Sequence, residues 1–358
     1  MAPTFAQLTT MHVGGPTGEF AVAESTEQLL DLLRTAEDRS LPILVIAGGS
    51  NLVVGDCGWD GLTLKVASRG IEISGTTVRA DAGVDWDQLV RLTLEQGLGG
   101  FEQLSGIPGS VGGTPIQNVG AFGALTSDVL QSVTVYNRDS RLVEEWPVSR
   151  CGFGSHRQSV FKHSRRYVVL SVTYALRETT QSNPLAFESL CGRLGIEPRQ
   201  TAPTADVRQA VLELRRSKGS IYDEDDHDTW GTGSFFINPV VRQVPAAAAQ
   251  APSYPDSLGI KLPAGWLIHQ AGFPPGYGAD FGRGSVRLSS KHALAVSNRG
   301  DATTAEVMAF ARHIRDGVEE VFGIRLGPEC DMINCSFDDP QQPSPQQPDP
   351  QPRSRTTV

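Results

Sequence analysis

Gly106-Ile107-Pro108-Gly109-Ser110-Val111-Gly112-Gly113 and, three residues on, Gln117-Asn118-Val119-Gly120-Ala121-Phe122-Gly123 form the stretch on which the reading of this chain turns. Nine glycines lie from Gly97 to Gly123, a density that weakens any helix or strand and is sustained in a folded domain by close backbone approach to a ligand or another segment. Ligand is the preferred reading. Upstream, the β-type run Ile43-Leu44-Val45-Ile46-Ala47 delivers the chain into a second small-residue loop, Gly48-Gly49-Ser50-Asn51. Successive backbone N–H groups in such a loop can form an anion nest without a charged side chain, although a structural turn has the same composition. Two such loops could clamp the two ends of one extended cofactor.

The flanking pattern is that of a mixed α+β chain. Ser25 and Gln28 precede Leu29, Leu30, Leu32 and Leu33 in a capping-box arrangement, which predicts a helix over 26–38. Trp86 to Gln96 has helical apolar spacing and stops at Gly97, a left-handed cap. The runs Val133–Tyr136 and Tyr167–Tyr174 read as strands of a mixed or antiparallel sheet. An amphipathic helix is expected over Asp206–Ser217, and another opens at Thr303 and Glu306 and ends before Gly323. The Pro- and Gln-rich tail beyond residue 337 has no apolar run to bury and reads as disordered.

At 358 residues the chain is too long for a single core and should hold two or three packed units. A net charge of -9 argues against nucleic acid as partner, so any anionic ligand must be held by a local cluster, for which Arg215, Arg216 and Lys218 are candidates. Five scattered cysteines show no metal-ligand spacing and read as reduced thiols, and no apolar run reaches a membrane span; a cytoplasmic protein is expected. G-x-G-x-x-G and G-x-x-x-x-G-K-[ST] are both missing, which disfavours a Rossmann domain or P-loop. The acidic run 223–228 reads as a solvated loop, and no metal is assigned to it.

Seven blocks in order carry a resemblance: Gly48-Gly-Ser-Asn-Leu52, Ile107–Gly113, Pro115–Gly123, Arg157-Gln-Ser159, Gly233-Ser-Phe-Phe-Ile-Asn-Pro239, Ala264-Gly-Trp-Leu-Ile268 and Pro328-Glu329. Together they resemble the UDP-N-acetylenolpyruvoylglucosamine reductase family over about Thr9 to Phe337, in its longer class. The resemblance implies an FAD-binding fold of the vanillyl-alcohol-oxidase or p-cresol-methylhydroxylase kind with an additional substrate-binding α+β domain. It divides the chain into FAD-binding subdomain 1 (1–68, rejoined by about 324–337), subdomain 2 (69–218), a substrate domain (219–323) and the tail (338–358).

The implied reaction uses bound FAD and NADPH to reduce UDP-N-acetylglucosamine enolpyruvate to UDP-N-acetylmuramate for peptidoglycan precursors, in a monomer without membrane insertion. By match to the family, Arg157 supplies a guanidinium to the substrate carboxylate, Ser234 donates a proton to the carbon bearing developing charge, and Glu329, when protonated, hydrogen-bonds the enolate. Cofactor contacts are expected from Gly48, Gly49, Ser50, Asn51, Leu52, Ser110, Gly112, Gly113, Gln117, Asn118, Gly120 and Ala121, and substrate contacts from Lys218, Asn238 and Gln270. The chain departs from the pattern at His156, Phe122 and Phe187, where the family commonly has tyrosine, and at Asp331, where some members carry arginine.

Overall fold

Ser25 accepts a hydrogen bond from the Gln28 amide and starts the helix Thr26–Asp38, which buries Leu29, Leu33 and Ala36. That helix crosses between strands Glu19–Ala23 and Ile43–Ile46, and Leu62–Val66 inserts between them to give a three-stranded parallel sheet. In parallel sheets ligands collect beyond the carboxyl ends of the strands. The loop Gly48–Asn51 follows directly on one such end. The structure, a computed structural model, describes residues 2–154, 159–162 and 164–338.

A five-stranded antiparallel sheet comes next, in the order Leu142–Pro147, Leu130–Asn137, Tyr167–Ala175, Thr77–Asp81 and Ile71–Ser74. The helix Trp86–Glu95 is capped by Asp85, and its buried Trp86 donates from Nε1 to the Leu104 carbonyl at 2.9 Å. One apolar cluster runs from Ala23 to Leu176, so both sheets share a core across residue 68. A second cluster gathers Phe235, Leu267, Ile268, Phe310, Ile314 and Val318 around the helix Thr304–Phe322 and includes Met11, Val13 and Val53 from the N-terminal region.

The strand Asp331–Ile333 pairs in parallel with Leu52–Val54 and returns the chain to where it began. Polar groups reinforce this closure. Asp56 accepts from the amides of Thr304 (2.8 Å) and Ala305 (3.0 Å), occupying unpaired N–H groups at the start of the long C-terminal helix. Asn298, fully buried, donates from Nδ2 to the carbonyls of Met11 (3.0 Å) and His12 (3.1 Å) and accepts at Oδ1 from the amides of Gly300 and Ala302.

Asn298→Ala leaves backbone groups from both ends of the chain unpaired, and urea denaturation should show a loss of roughly 2–4 kcal/mol. Glu306, bonded to Arg283 and to the Thr303 cap, has its carboxyl held at about 2 against an ordinary 4.5. A depressed carboxyl stabilises the fold above 4.5 and loses that contribution as pH falls toward 2. Glu306→Gln should therefore flatten the decline of thermal midpoint over that acid range, and an unchanged slope would contradict the assignment.

Candidate active site

The carboxyl end of the parallel sheet, the glycine segment and the C-terminal unit enclose a cavity of about 580 Å³. Its walls come from Ile43–Leu52, from Ile107–Gly120, from Arg215–Ser234 and from Glu329–Ile333. The two glycine loops touch. A Cβ on Gly48 would lie 3.1 Å from Gly109 Cα, and Ser50 Oγ donates to the Pro108 carbonyl at 3.2 Å. Gly49 has φ +61°, and a Cβ there would sit 2.2 Å from the Leu8 carbonyl oxygen, so no other residue fits.

Three polar atoms on this wall, Asn51 Nδ2, Ser110 Oγ and Gln117 Oε1, are shielded from water and have no hydrogen-bond partner among the described residues. Leaving such a group unsatisfied costs about 1–3 kcal/mol each. They are placed to bind a polar ligand, and Gly113, where an added Cβ would meet nothing within 4 Å, leaves a cradle beside them. Apolar Ile43, Val45, Ile46 and Ile107 line the same space. Paired apolar walls, bare backbone and orphaned polar atoms fit a long dinucleotide with a ring system, as FAD has. Cations line it as well: Arg138, Arg165 and Arg215, the last anchored by Nε to the Gly106 carbonyl (3.0 Å) and by Nη2 to the Ser220 carbonyl (2.7 Å).

Gly48, Gly49, Ser50, Asn51, Leu52, Ser110, Gly112, Gly113, Gln117 and Gly120 all lie on the wall. Asn118 and Ala121 are not among its lining residues. Buried Asn118 accepts from the Ser127 amide at 3.1 Å, and Ala121 pairs with Ala124 in a short hairpin. Ser234 and Glu329, nearly a hundred residues apart in sequence, are brought to one end of the cavity by an antiparallel ladder. The Glu329 amide donates to the Phe235 carbonyl (2.8 Å) and the Ile237 amide to the Gly327 carbonyl (3.0 Å), with Phe236 opposite Pro328. Both are half-buried and both line the space. Arg157 and His156 lie outside the described residues.

The three expected substrate contacts are not on the wall. Lys218 caps the helix Thr204–Ser217 and is exposed, although the next residues, Gly219 and Ser220, do line the cavity. Asn238 Oδ1 accepts from the Ala264 amide at 2.9 Å and so starts the helix Ala264–Gln270. Gln270 is exposed next to His269. Phe122 and Phe187 meet edge to face with centroids 5.5 Å apart, so the two departures from tyrosine pack on each other. In the acidic run, Asp223, Glu224 and Asp225 are exposed, as expected of a solvated loop, whereas Asp226 pairs with Lys291 and Asp228 with Arg299 (2.8 Å), which ties the rest of the run to the segments that follow the strands Val286–Leu288 and Val296–Asn298. Thr10, Tyr167, Tyr222 and Thr229 also line the cavity, and no local sequence signal marks them.

Comparison with known proteins meets this geometry. Residues 19–145 match the FAD binding domain family and 225–333 the C-terminal domain family of UDP-N-acetylenolpyruvoylglucosamine reductase. The reductase of Nocardia farcinica is 47% identical over 340 residues, covering 92% of this chain and 88% of its own. The chain belongs to the UDP-N-acetylenolpyruvoylglucosamine reductase family. It is accordingly an FAD-dependent oxidoreductase. The Mycobacterium ulcerans reductase is 44% identical over 93% of this chain and 94% of its own. The crystal structure of the Thermus caldophilus reductase superposes with a TM-score of 0.65 at 24% identity, covering 92% of this chain and 97% of that one, and it shares the fold. As in that family, the FAD-binding α+β unit carries an additional C-terminal α+β unit. Among the described residues no helix is long and apolar enough to cross a membrane.

The open cradle at residue 113 gives a direct test of cofactor placement. Gly113→Val should fold with an unchanged thermal midpoint when stripped of flavin, yet retain at least roughly tenfold less FAD on purification, because its side chain occupies ligand space. Full flavin content in that variant would contradict the placement.

Proposed function

We propose that this cavity is where NADPH-driven reduction of UDP-N-acetylglucosamine enolpyruvate to UDP-N-acetylmuramate takes place, with Ser234 and Glu329 as its catalytic side chains. The single observation that carries the reading is the ladder between 235–237 and 327–329, which sets both residues on the wall shared with the glycine loops. The reaction adds one hydride and one proton across a carbon–carbon double bond. Bound FAD supplies the two-electron carrier between nicotinamide and that bond. Asn51, Ser110 and Gln117, with the bare backbone at Gly48, Gly49, Gly112 and Gly113, would hold the cofactor.

Hydride addition at the terminal vinyl carbon places negative charge on its neighbour and, through it, on the carboxylate. Ser234 Oγ–H donates the proton to that carbon and recovers one from water; a serine hydroxyl is a weak acid, so its position rather than its acidity suits it to the step. Glu329 in its acid form donates a hydrogen bond to the developing enolate. Arg157 belongs to the proposal through its family match, as the bidentate partner of the substrate carboxylate. Lys218, Asn238 and Gln270 belong to it on the same ground as nucleotide-sugar contacts, and Asn118 and Ala121 as cofactor contacts. On this reading 1–68 with 324–337 and 69–218 hold the cofactor, 219–323 covers the substrate, and the protein works as a monomer in the cytoplasm.

The two half-reactions separate the roles. In anaerobic stopped flow, Ser234→Ala should be reduced by NADPH at the wild-type rate, whereas its reoxidation by the enolpyruvyl substrate should slow by roughly 10²–10⁴. Reoxidation at the wild-type rate would remove Ser234 from the chemistry.

A further inference from the structure

We propose that Tyr222 is a ligand-contacting residue of this cavity, its phenol hydroxyl hydrogen-bonding a sugar hydroxyl or an amide of a bound nucleotide. The inference rests on the cavity being the nucleotide site. Tyr222 lines it from the loop that also contributes Gly219 and Ser220, and the side chain is 37% exposed. An exposed tyrosine on a loop ordinarily samples several rotamers, but this one is held. Its hydroxyl lies 2.7 Å from His12 Nε2, and the two rings stack with centroids 5.8 Å apart. His12 in turn packs on Trp230 at 4.0 Å, and Trp230 meets His227 at 4.3 Å and donates from Nε1 to the Glu224 carbonyl at 3.1 Å.

The support beneath this stack is itself costly. His12 has φ +54°, a left-handed backbone that side chains other than glycine rarely adopt, and buried Asn298 binds its carbonyl. A strained residue held by a buried amide, whose ring ends on the hydroxyl of a cavity-lining tyrosine, is a device for fixing that hydroxyl.

Burial pushes the imidazole below its ordinary 6.5, so the ring is neutral at pH 7. A neutral imidazole donates to or accepts from the Tyr222 hydroxyl according to its tautomer, and that hydroxyl keeps its other hydrogen-bonding role for a ligand. A sugar hydroxyl or an amide can meet either role, whereas an ionised phosphate oxygen only accepts. The groups facing His12 are Tyr222, Glu224, which favours the charged ring, and His227, which opposes it.

The test is Tyr222→Phe in the holoenzyme, which keeps the ring stack and removes the oxygen. KM for the enolpyruvyl nucleotide sugar, KM for NADPH and Kd for FAD are measured separately, since each carries such groups. A rise of about tenfold in one of them, with kcat within about twofold, supports the contact and names its source. All three constants unchanged, or a fall in kcat alone, overturns the proposal. A wild-type protein that does not turn over contradicts the proposed reaction and leaves this contact to be judged by calorimetry with UDP-N-acetylglucosamine, NADPH and FAD on the same tenfold criterion.

Discussion

The arrangement depends on how one short segment, Gly327 to Ile333, is hydrogen-bonded on two sides. Its first residues pair with Phe235–Ile237 and its last with Leu52–Val54. One short stretch thereby fastens the C-terminal unit to the strand that follows the Gly48–Asn51 loop, and Glu329 sits at the junction. Backbone pairing is well suited to this task because register is set by alternation: a slip of one residue would turn Glu329 away from the cavity. Buried Asn298 and the Asp56 cap on the C-terminal helix hold the same two regions together from behind.

From this closure the chemistry of the cavity follows. The glycine loops approach each other at Gly48 and Gly109 because neither has a side chain to keep them apart, and the space beyond them is bounded by polar atoms without partners among the described residues. A protein with net charge -9 still places Arg138, Arg165 and Arg215 on the inner wall, so local field opposes global field where anionic nucleotides must enter. Arg215 is fixed there by two backbone carbonyls.

Sequence was most informative where chemistry is local. The capping pattern Ser25/Gln28 and the apolar spacing after it define the helix Thr26–Asp38, and Thr303/Glu306 with Gly323 bound the helix Thr304–Phe322, because caps and periodicity act within a few residues. The glycine loops were legible for the same reason. What sequence could not convey was side-chain direction: Asn118 and Asn238 sit in blocks that match the family, yet each bonds a backbone amide nearby and lies off the cavity wall. Asp56 bonding Thr304, or Asn298 bonding His12, joins residues separated by about two-thirds of the chain or more, and only the assembled fold reveals such pairs. Tyr222 was invisible because its position depends on His12, which reaches it from the other end of the molecule.

The central claim is that the glycine loops, Ser234 and Glu329 surround one cofactor ring. A crystal structure of the FAD-loaded protein with the enolpyruvyl substrate tests it most directly. The dinucleotide is expected along Asn51, Ser110 and Gln117, with the substrate double bond between the flavin ring and the Ser234 hydroxyl and with Glu329 beside the carboxylate. Flavin bound elsewhere, or a substrate double bond remote from both Ser234 and Glu329, would contradict it.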